Sequence, residues 1–218
     1  WMWASFHGST SKPKLLQPKM SVAGENMAIS FACIVITDGR RKALVDNAIL
    51  PSVLPQGFDD IIVVGQHHEG AGYRYLCVPG MTHTTNDALV KRDVGTLATS
   101  ADVLCYLCDD HALYPDFFDV LRQLCRDNTW DVLAPSRWGI HPERGEIALN
   151  MGVQDGYLGG HAGVFRRSVI VRQPWTTMPH HPQWDVLSSV EHQANGVRYV
   201  YAPNLRVKDL EPERQPWL

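Results

Sequence analysis

Three short runs of mostly apolar residues constrain the fold of this chain more than any other feature. They span residues 29–36 (ISFACIVI), 60–65 (DIIVVG) and 103–107 (VLCYL). Their apolar residues are continuous rather than alternating, which is typical of strands covered on both faces of a sheet. An amphipathic segment over residues 84–100 places Val90 and Val94 at helical spacing. The alternation of the two patterns predicts an α/β fold with a mostly parallel central sheet flanked by helices.

The remaining periodic segments continue this pattern to about residue 210. Further strands are predicted over residues 73–78, 131–134, 162–165 and 197–201, and further helices over residues 41–54, 115–127 and 183–195. Residues 136–160 carry few apolar side chains and predict long loops or a small β excursion. We therefore expect one domain over residues 29–210, a poorly ordered leader over residues 1–28 and a charged tail over residues 211–218.

The charge balance and the cysteine pattern exclude several classes of protein. Among 218 residues, 20 are Lys or Arg and 23 are Asp or Glu, so the net charge of −3 provides no overall basic field for nucleic acid or anionic lipid. The five cysteines are odd in number and several lie in predicted strands, which predicts reduced thiols and a cytoplasmic protein. The apolar runs are too short to cross a bilayer, and the first residues lack the pattern of a signal peptide.

The strongest local motif is a pair of adjacent carboxylates, Asp109 and Asp110, directly after the predicted strand at residues 103–107. Side chains at the carboxyl end of a parallel strand face the ligand crevice of an α/β sheet. Hard carboxylate oxygens there suit Mg²⁺ or Mn²⁺, and such an ion commonly bridges a diphosphate. An alternative is that one of the two aspartates caps the following helix.

A zinc site is a rival interpretation of the same segment, built from Cys105, Cys108 and His111. Residues three apart along a strand point to opposite faces of the sheet. Cys105 and Cys108 therefore cannot share one ion without leaving strand geometry, and the carboxylate interpretation is favoured.

The segment from Lys91 to His111 resembles the family-2-type glycosyltransferases of the GT-A fold. That family carries a (K/R)-N-x-G motif, twelve further residues, and then an Asp-x-Asp-Asp motif after a strand. The residues of this chain that fall on family positions are Arg92, Gly95, Leu107 and Asp110. Asp93 replaces the usual Asn, while Cys108 and His111 replace the first and last Asp.

The resemblance continues downstream and covers residues 29–210, nearly the whole chain after the leader. Gly159, Gly160 and His161 are similar to the small-residue acceptor loop of the family. The family then has Glu-Asp followed by a Gly eleven residues after that Asp, and here Asp185 is followed by Gly196 at this spacing. Trp184 replaces the Glu.

This resemblance implies a metal-dependent transferase that moves a sugar from a nucleotide-diphosphate sugar, foremost a UDP-sugar, to an acceptor hydroxyl with inversion. It implies Mn²⁺ or Mg²⁺ on Asp110, with Asp109 as a helper and Asp209 in place of a late His of the family. Asp185 falls on the general base. The implied nucleotide-sugar site consists of Thr37, Asp38, Arg92, Asp93 and Gly95.

The acceptor stays open among a glycan, a small molecule, a protein and a modified nucleic acid. A catalytically silent GT-A domain that acts as a binding module is an alternative function, prompted by Cys108 and Trp184. A nucleotidyltransferase is a third, but it would need a Gly-rich basic loop after the first strand. Residues 37–41 (TDGRR) supply the basic residues with one Gly.

Overall fold

The computed structural model describes residues 28–66, 69–78, 85–126, 129–141, 144–149, 162–177 and 184–210. Almost all of the predicted leader and the whole predicted tail lie outside these ranges, as do Gly159, Gly160 and His161 of the predicted acceptor loop. Within the described ranges, no helix has the length and apolarity that crossing a membrane requires.

The elements alternate between strands and helices along most of the chain. In order they are β1 (Phe31–Thr37), α1 (Lys42–Leu44), α2 (Leu50–Val53), β2 (Asp60–Gly65), β3 (Arg74–Cys77), α3 (Thr85–Leu97), β4 (Val103–Cys108), β5 (His111–Leu113), α4 (Phe117–Leu124), β6 (Val132–His141), β7 (Gly145–Ala148), β8 (Ala162–Arg166), α5 (Arg167–Arg172), α6 (Trp184–Ala194) and β9 (Tyr199–Asp209). A π-helical turn (Val45–Ile49) joins α1 to α2, and 3-10 turns lie at Leu54–Gln56 and Trp175–Thr177.

The described strands form one nine-stranded sheet in the order β3-β2-β1-β4-β8-β6-β9-β5, with β7 paired to β6. The strands β3, β2, β1 and β4 are parallel to one another, whereas β8 runs antiparallel to both β4 and β6. This confirms the predicted α/β fold, a Rossmann-like sheet flanked by helices, and shows that the sheet is partly antiparallel. The parallel arrangement that the sequence predicts is found among β1 to β4, the strands of the first half of the chain.

The strand β1 sits between two hydrophobic cores, which explains its continuous apolar sequence. Cys33 and Val35 pack in one core with side chains of α2, the π-helical turn and α4. Ile34 and Ile36 pack in the other with side chains of α3 and α5. All four side chains are buried, and full burial of an aliphatic side chain is worth roughly 1.5–3 kcal/mol.

The register brings the carboxyl ends of several strands to one edge of the sheet. Thr37 of β1 pairs with Gly65 of β2, and Ile36 of β1 pairs with Cys108 of β4. The chain leaves β1 toward β2 on one side and meets β4 on the other, so the strand order reverses between β1 and β4. Such a switch point opens a crevice where ligands bind in α/β sheets.

Three elements at this edge were absent from the sequence prediction or shorter in it. β5 is three residues long and pairs with β9, which extends as far as Asp209 instead of ending at residue 201. β6 runs to His141 and pairs with β7, which is the predicted β excursion. A short strand of this kind forms because a distant partner supplies its hydrogen bonds, so its own sequence carries little signal.

Gly95 is a packing residue in the last turn of α3. A Cβ atom at this position would lie 2.5 Å from Cγ2 of Ile34 and 3.3 Å from Cγ2 of Val64. The helix therefore approaches β1 and β2 so closely that a larger side chain at this position would have to displace Ile34.

We expect Gly95→Val to lower the free energy of unfolding by about 1–3 kcal/mol, because the added methyl groups must displace Ile34. Leu97→Val is the matched control, since it places valine in the same helix on a side chain that is 80% exposed. The control is expected to change stability by no more than about 0.5 kcal/mol. Denaturant unfolding of both variants measures the difference, and equal stabilities would contradict the close contact.

Candidate active site

Polar side chains from β1 and from the turn after β4 meet at the switch point. Thr37 and Asp38 end β1, and Asp109 and Asp110 follow β4. Because Ile36 pairs with Cys108 in parallel register, the residues that follow these two strands are neighbours. The structure thus brings together four of the residues that the sequence singled out.

Asp109 is buried, and its carboxylate ties the two strand ends together. Oδ2 accepts hydrogen bonds from the Thr37 hydroxyl at 2.9 Å and from the Asp38 backbone N–H at 3.2 Å. Oδ1 accepts one from Nη1 of Arg41 at 2.8 Å. A buried carboxylate needs this combination of donors and an opposite charge, because burying an unpaired charge is very costly. In this geometry Asp109 organises the site.

Asp110 is more exposed than Asp109 and faces the open side of the turn. Its Oδ1 lies 2.5 Å from Nδ1 of His111, and its Oδ2 lies 3.4 Å from Nη1 of Arg41. Its carbonyl oxygen accepts a hydrogen bond from the Leu210 N–H at 2.8 Å, which joins the turn to the end of β9. The side chain of Asp110 is therefore held at the edge of the crevice and stays accessible to a ligand.

Asp209, the third predicted metal ligand, lies at the end of β9 opposite His111 of β5. Its Oδ2 accepts a hydrogen bond from Nη2 of Arg137 at 2.6 Å, and both side chains are buried. The charge of Asp209 is thus matched by a guanidinium, so the side chain serves here as half of a buried ion pair.

The residues present fit a divalent ion in one specific way. In the described ranges, no group of three or more His, Cys, Asp or Glu side chains is placed to hold an ion. Mg²⁺ does not need such a cage, because it is usually held by one or two carboxylates together with substrate phosphates and water. Asp110, whose contact with Arg41 is longer at 3.4 Å, can provide one such carboxylate, whereas Asp109 and Asp209 pair with arginines at 2.8 and 2.6 Å.

Arg92, predicted to contact the nucleotide, is a buried residue of α3 that packs against aromatic side chains. Its guanidinium lies 5.2 Å from the ring centre of Tyr106 and 4.9 Å from that of Trp175. Its Nη2 lies 3.8 Å from Sγ of Cys108. Burial is the main cause that raises the pKa of Cys108 to about 12, so this thiol is protonated at neutral pH. Arg92 thus contacts Cys108, the last residue of β4, within the protein interior.

Asp93 supports a neighbouring turn. Its two carboxylate oxygens accept hydrogen bonds from the backbone N–H groups of Trp175 and Thr176, at 2.8 and 2.9 Å, and from the Thr176 hydroxyl. Arg92, Asp93 and Gly95, the three predicted site residues of α3, thus all make structural contacts in the described part of the protein.

A buried ion pair on α3 escaped the sequence analysis. Nζ of Lys91 lies 2.8 Å from Oδ2 of Asp87, and the two side chains are 3% and 4% exposed. Cε of Lys91 would lie 3.3 Å from a Cβ atom at Gly65, whose φ of +128° favours glycine. The i, i+4 spacing of the two residues is the signal that could have revealed the pair.

Asp185, the predicted general base, is the second residue of α6. Its side chain lies outside the part of the protein that the structure describes, and so does the acceptor loop at residues 159–161. Its role and the roles of Gly159, Gly160 and His161 therefore stay predictions.

His192 of α6 belongs to an aromatic cluster that reaches Arg92 through Trp175. Its ring centre is 6.4 Å from that of Phe165 and 6.3 Å from that of Trp175, and Nδ1 lies 2.6 Å from the Tyr199 hydroxyl. Burial lowers the pKa of His192 to about 4, so the imidazole is neutral at pH 7.

The sequence matches no protein-family model and no curated protein. Its structure is similar to that of the mannosyltransferase PcManGT from Pyrobaculum calidifontis in complex with GDP-Man and Mn²⁺, with a TM-score of 0.60 and 13% identity over 85% of this chain and 58% of that chain. It is also similar to residues 1–349 of TarS from S. aureus, with a TM-score of 0.64 and 13% identity over 85% of this chain and 61% of that chain.

These similarities concern the fold. The chain spans about three fifths of the length of each of the two structures, and 13% identity carries no information on substrate. Together with the sheet order and its switch point between β1 and β4, they support a GT-A-like glycosyltransferase fold.

The buried histidine makes stability depend on pH. The unfolded chain binds a proton on His192 near pH 6.5, whereas the folded protein does so only near pH 4, so the free energy of unfolding falls as the pH drops below 6.5. We expect His192 to account for a loss of about 2 kcal/mol between pH 7 and pH 5. In His192→Gln, urea unfolding at the two pH values should show this loss removed, and curves that shift in parallel for both proteins would contradict it.

Proposed function

We propose that this protein is a glycosyltransferase that moves a sugar from a nucleotide-diphosphate sugar to an acceptor hydroxyl. One observation carries the proposal. The Asp109–Asp110 turn lies at the switch point of a sheet whose fold is similar to that of a mannosyltransferase in complex with GDP-Man and Mn²⁺. In such sheets the crevice beyond the strand ends is where a nucleotide binds.

The proposed donor site uses the ends of β1 and β4. The nucleoside would lie against Thr37 and Asp38, whose positions are set by the carboxylate of Asp109. Arg92, Asp93 and Gly95 support the walls of this site through the contacts described above and need not touch the donor. UDP-sugars and GDP-sugars are both candidate donors.

Metal dependence is part of the proposal, with Asp110 as the ligand for Mn²⁺ or Mg²⁺. A bound ion would neutralise charge on the diphosphate leaving group. In this proposal His111, whose Nδ1 lies 2.5 Å from Oδ1 of Asp110, would hold that carboxylate in place for the ion. Asp109 contributes indirectly by fixing the turn, and Asp209 by its ion pair with Arg137 below the adjoining strands.

The acceptor side of the proposal rests on the sequence motif. Asp185 would accept the proton of the acceptor hydroxyl as that oxygen attacks the sugar from the face opposite the leaving group, which inverts the anomeric centre. The segment that contains Gly159, Gly160 and His161 would contact the sugar or the acceptor. The acceptor can be a glycan, a small molecule, a protein or a modified nucleic acid.

A catalytically silent binding domain is the second candidate. This candidate is favoured because two of the three predicted metal ligands are closely paired with arginines. Asp109 pairs with Arg41 and Asp209 pairs with Arg137, whereas Asp110 lies farther from Arg41. Such a domain would bind a nucleotide without transferring a sugar.

Nucleotide binding and its metal dependence test the donor site. We expect one of UDP, GDP, dTDP or CDP to raise the Tm in the presence of Mn²⁺ and much less in EDTA. A ligand at 100 times its Kd stabilises a protein by about 2.7 kcal/mol, which for this chain length is a shift of about 5 °C or more. Asp110→Asn should lose the metal-dependent part of the shift. Asp119→Asn, an exposed residue of α4, is the control and should keep it.

Asp185→Asn separates transfer from binding. We expect it to lower kcat at least about a hundredfold, on the usual scale of general-base loss, and to leave the donor affinity unchanged. Glu191→Gln makes the same change of carboxylate to amide on the same helix and should retain activity. Radiolabelled donor turnover measures kcat once an acceptor is found, and donor hydrolysis serves before that. Normal turnover in Asp185→Asn would contradict its role as the base.

A further inference from the structure

The guanidinium of Arg41 connects the two aspartates that follow β4. Its Nη1 lies 2.8 Å from Oδ1 of Asp109 and 3.4 Å from Oδ2 of Asp110. The Asp109 side chain is 8% exposed, whereas those of Arg41 and Asp110 are 20% and 18% exposed. Arg41 thus lies at the boundary between the buried anchor of the site and its open side.

The backbone that carries Arg41 is well defined. The Gly39 N–H donates to the Thr37 hydroxyl at 3.0 Å, and a Cβ atom at Gly39 would lie 2.9 Å from the carbonyl oxygen of Gln66. The carbonyl of Arg41 accepts the first hydrogen bond of the helical segment, from the Val45 N–H at 3.0 Å. The loop between β1 and α1 therefore presents this guanidinium to the crevice from a fixed position.

Charge balance gives Arg41 a task in this position. Asp38, Asp109 and Asp110 contribute three carboxylates, and a diphosphate placed beside them would be repelled without a cation. Arg40 is paired with Asp38 at 2.6 Å, and its side chain is 62% exposed. Arg41 lies against the carboxylates that border the proposed diphosphate site, so of the two arginines it is the one placed to offset their charge.

We infer that Arg41 binds the diphosphate of the nucleotide donor while its guanidinium stays fastened to Asp109. A guanidinium has five N–H donors in a planar fork, which allows it to hold a carboxylate and a phosphate oxygen at once. Asp109 is then a positioning residue, because it aims the guanidinium that recognises the phosphates. The inference rests on the proposed function and names the side chain that selects diphosphates at that site.

The experiment compares the loss of phosphate recognition with the loss of nucleoside recognition. Arg41→Gln removes the charge and keeps a polar side chain of similar reach. With Mn²⁺ present, we expect it to weaken binding of the preferred nucleoside diphosphate by about tenfold to a hundredfold, the scale of a hydrogen bond to a charged group. Binding of the corresponding nucleoside should change less than about twofold. Calorimetry measures the diphosphate, and ligand-observed NMR measures the weaker nucleoside.

Two further variants make the comparison specific. Arg198→Gln is the matched control, because Arg198 forms an ion pair with Asp131 at the opposite edge of the sheet and should not alter nucleotide binding. Arg41→Lys keeps the charge and loses the planar fork, so we expect it to bind the diphosphate with intermediate affinity. It also replaces Arg41→Gln in the comparison if the glutamine variant does not fold.

The outcomes separate this inference from the proposed function. If Arg41→Gln binds the diphosphate as wild type does, or loses nucleoside and diphosphate equally, the inference is overturned and the proposed function stands. If the wild-type protein binds no nucleoside diphosphate under any condition, both are overturned. A selective loss of diphosphate binding supports both.

Discussion

The candidate site depends on the hydrogen bonds and the ion pair that the carboxylate of Asp109 forms. It is buried at the point where β1 and β4 end, and it binds the Thr37 hydroxyl, the Asp38 N–H and Arg41. A carboxylate in such a place is stable only when its oxygens are matched by donors and its charge by a cation. Because these donors come from the loop after β1, one buried group fixes the relative position of both strand ends and of the arginine between them.

Two other buried carboxylates of the described structure are also paired with a residue of opposite charge. The Asp209–Arg137 pair joins the end of β9 to the middle of β6, and the Asp87–Lys91 pair lies in α3. Ion pairs of this kind add little net stability, since desolvation offsets much of the attraction. They restrict the geometry of the fold instead. Each buried charge must lie next to its partner, which limits how the elements that carry the two charges can pack.

Aromatic side chains connect the site to the helix that carries the proposed base. The Arg92 guanidinium lies over the rings of both Tyr106 and Trp175, and Trp175 contacts His192 of α6. Arg92 and the C-terminal part of α6 therefore belong to one packed aromatic cluster.

The fold class, and the position of Asp109 and Asp110 directly after a buried strand, could be predicted from the sequence alone. Continuous apolar runs such as residues 60–65 have few stable arrangements other than a strand buried on both faces, and carboxylates that follow such a strand must lie at the ligand edge. Only the tertiary structure decided which charges meet. Arg41 and Asp109 are separated by 68 residues, and Arg137 and Asp209 by 72. No local pattern encodes such a pairing, because it arises when sheet register brings distant strand ends together.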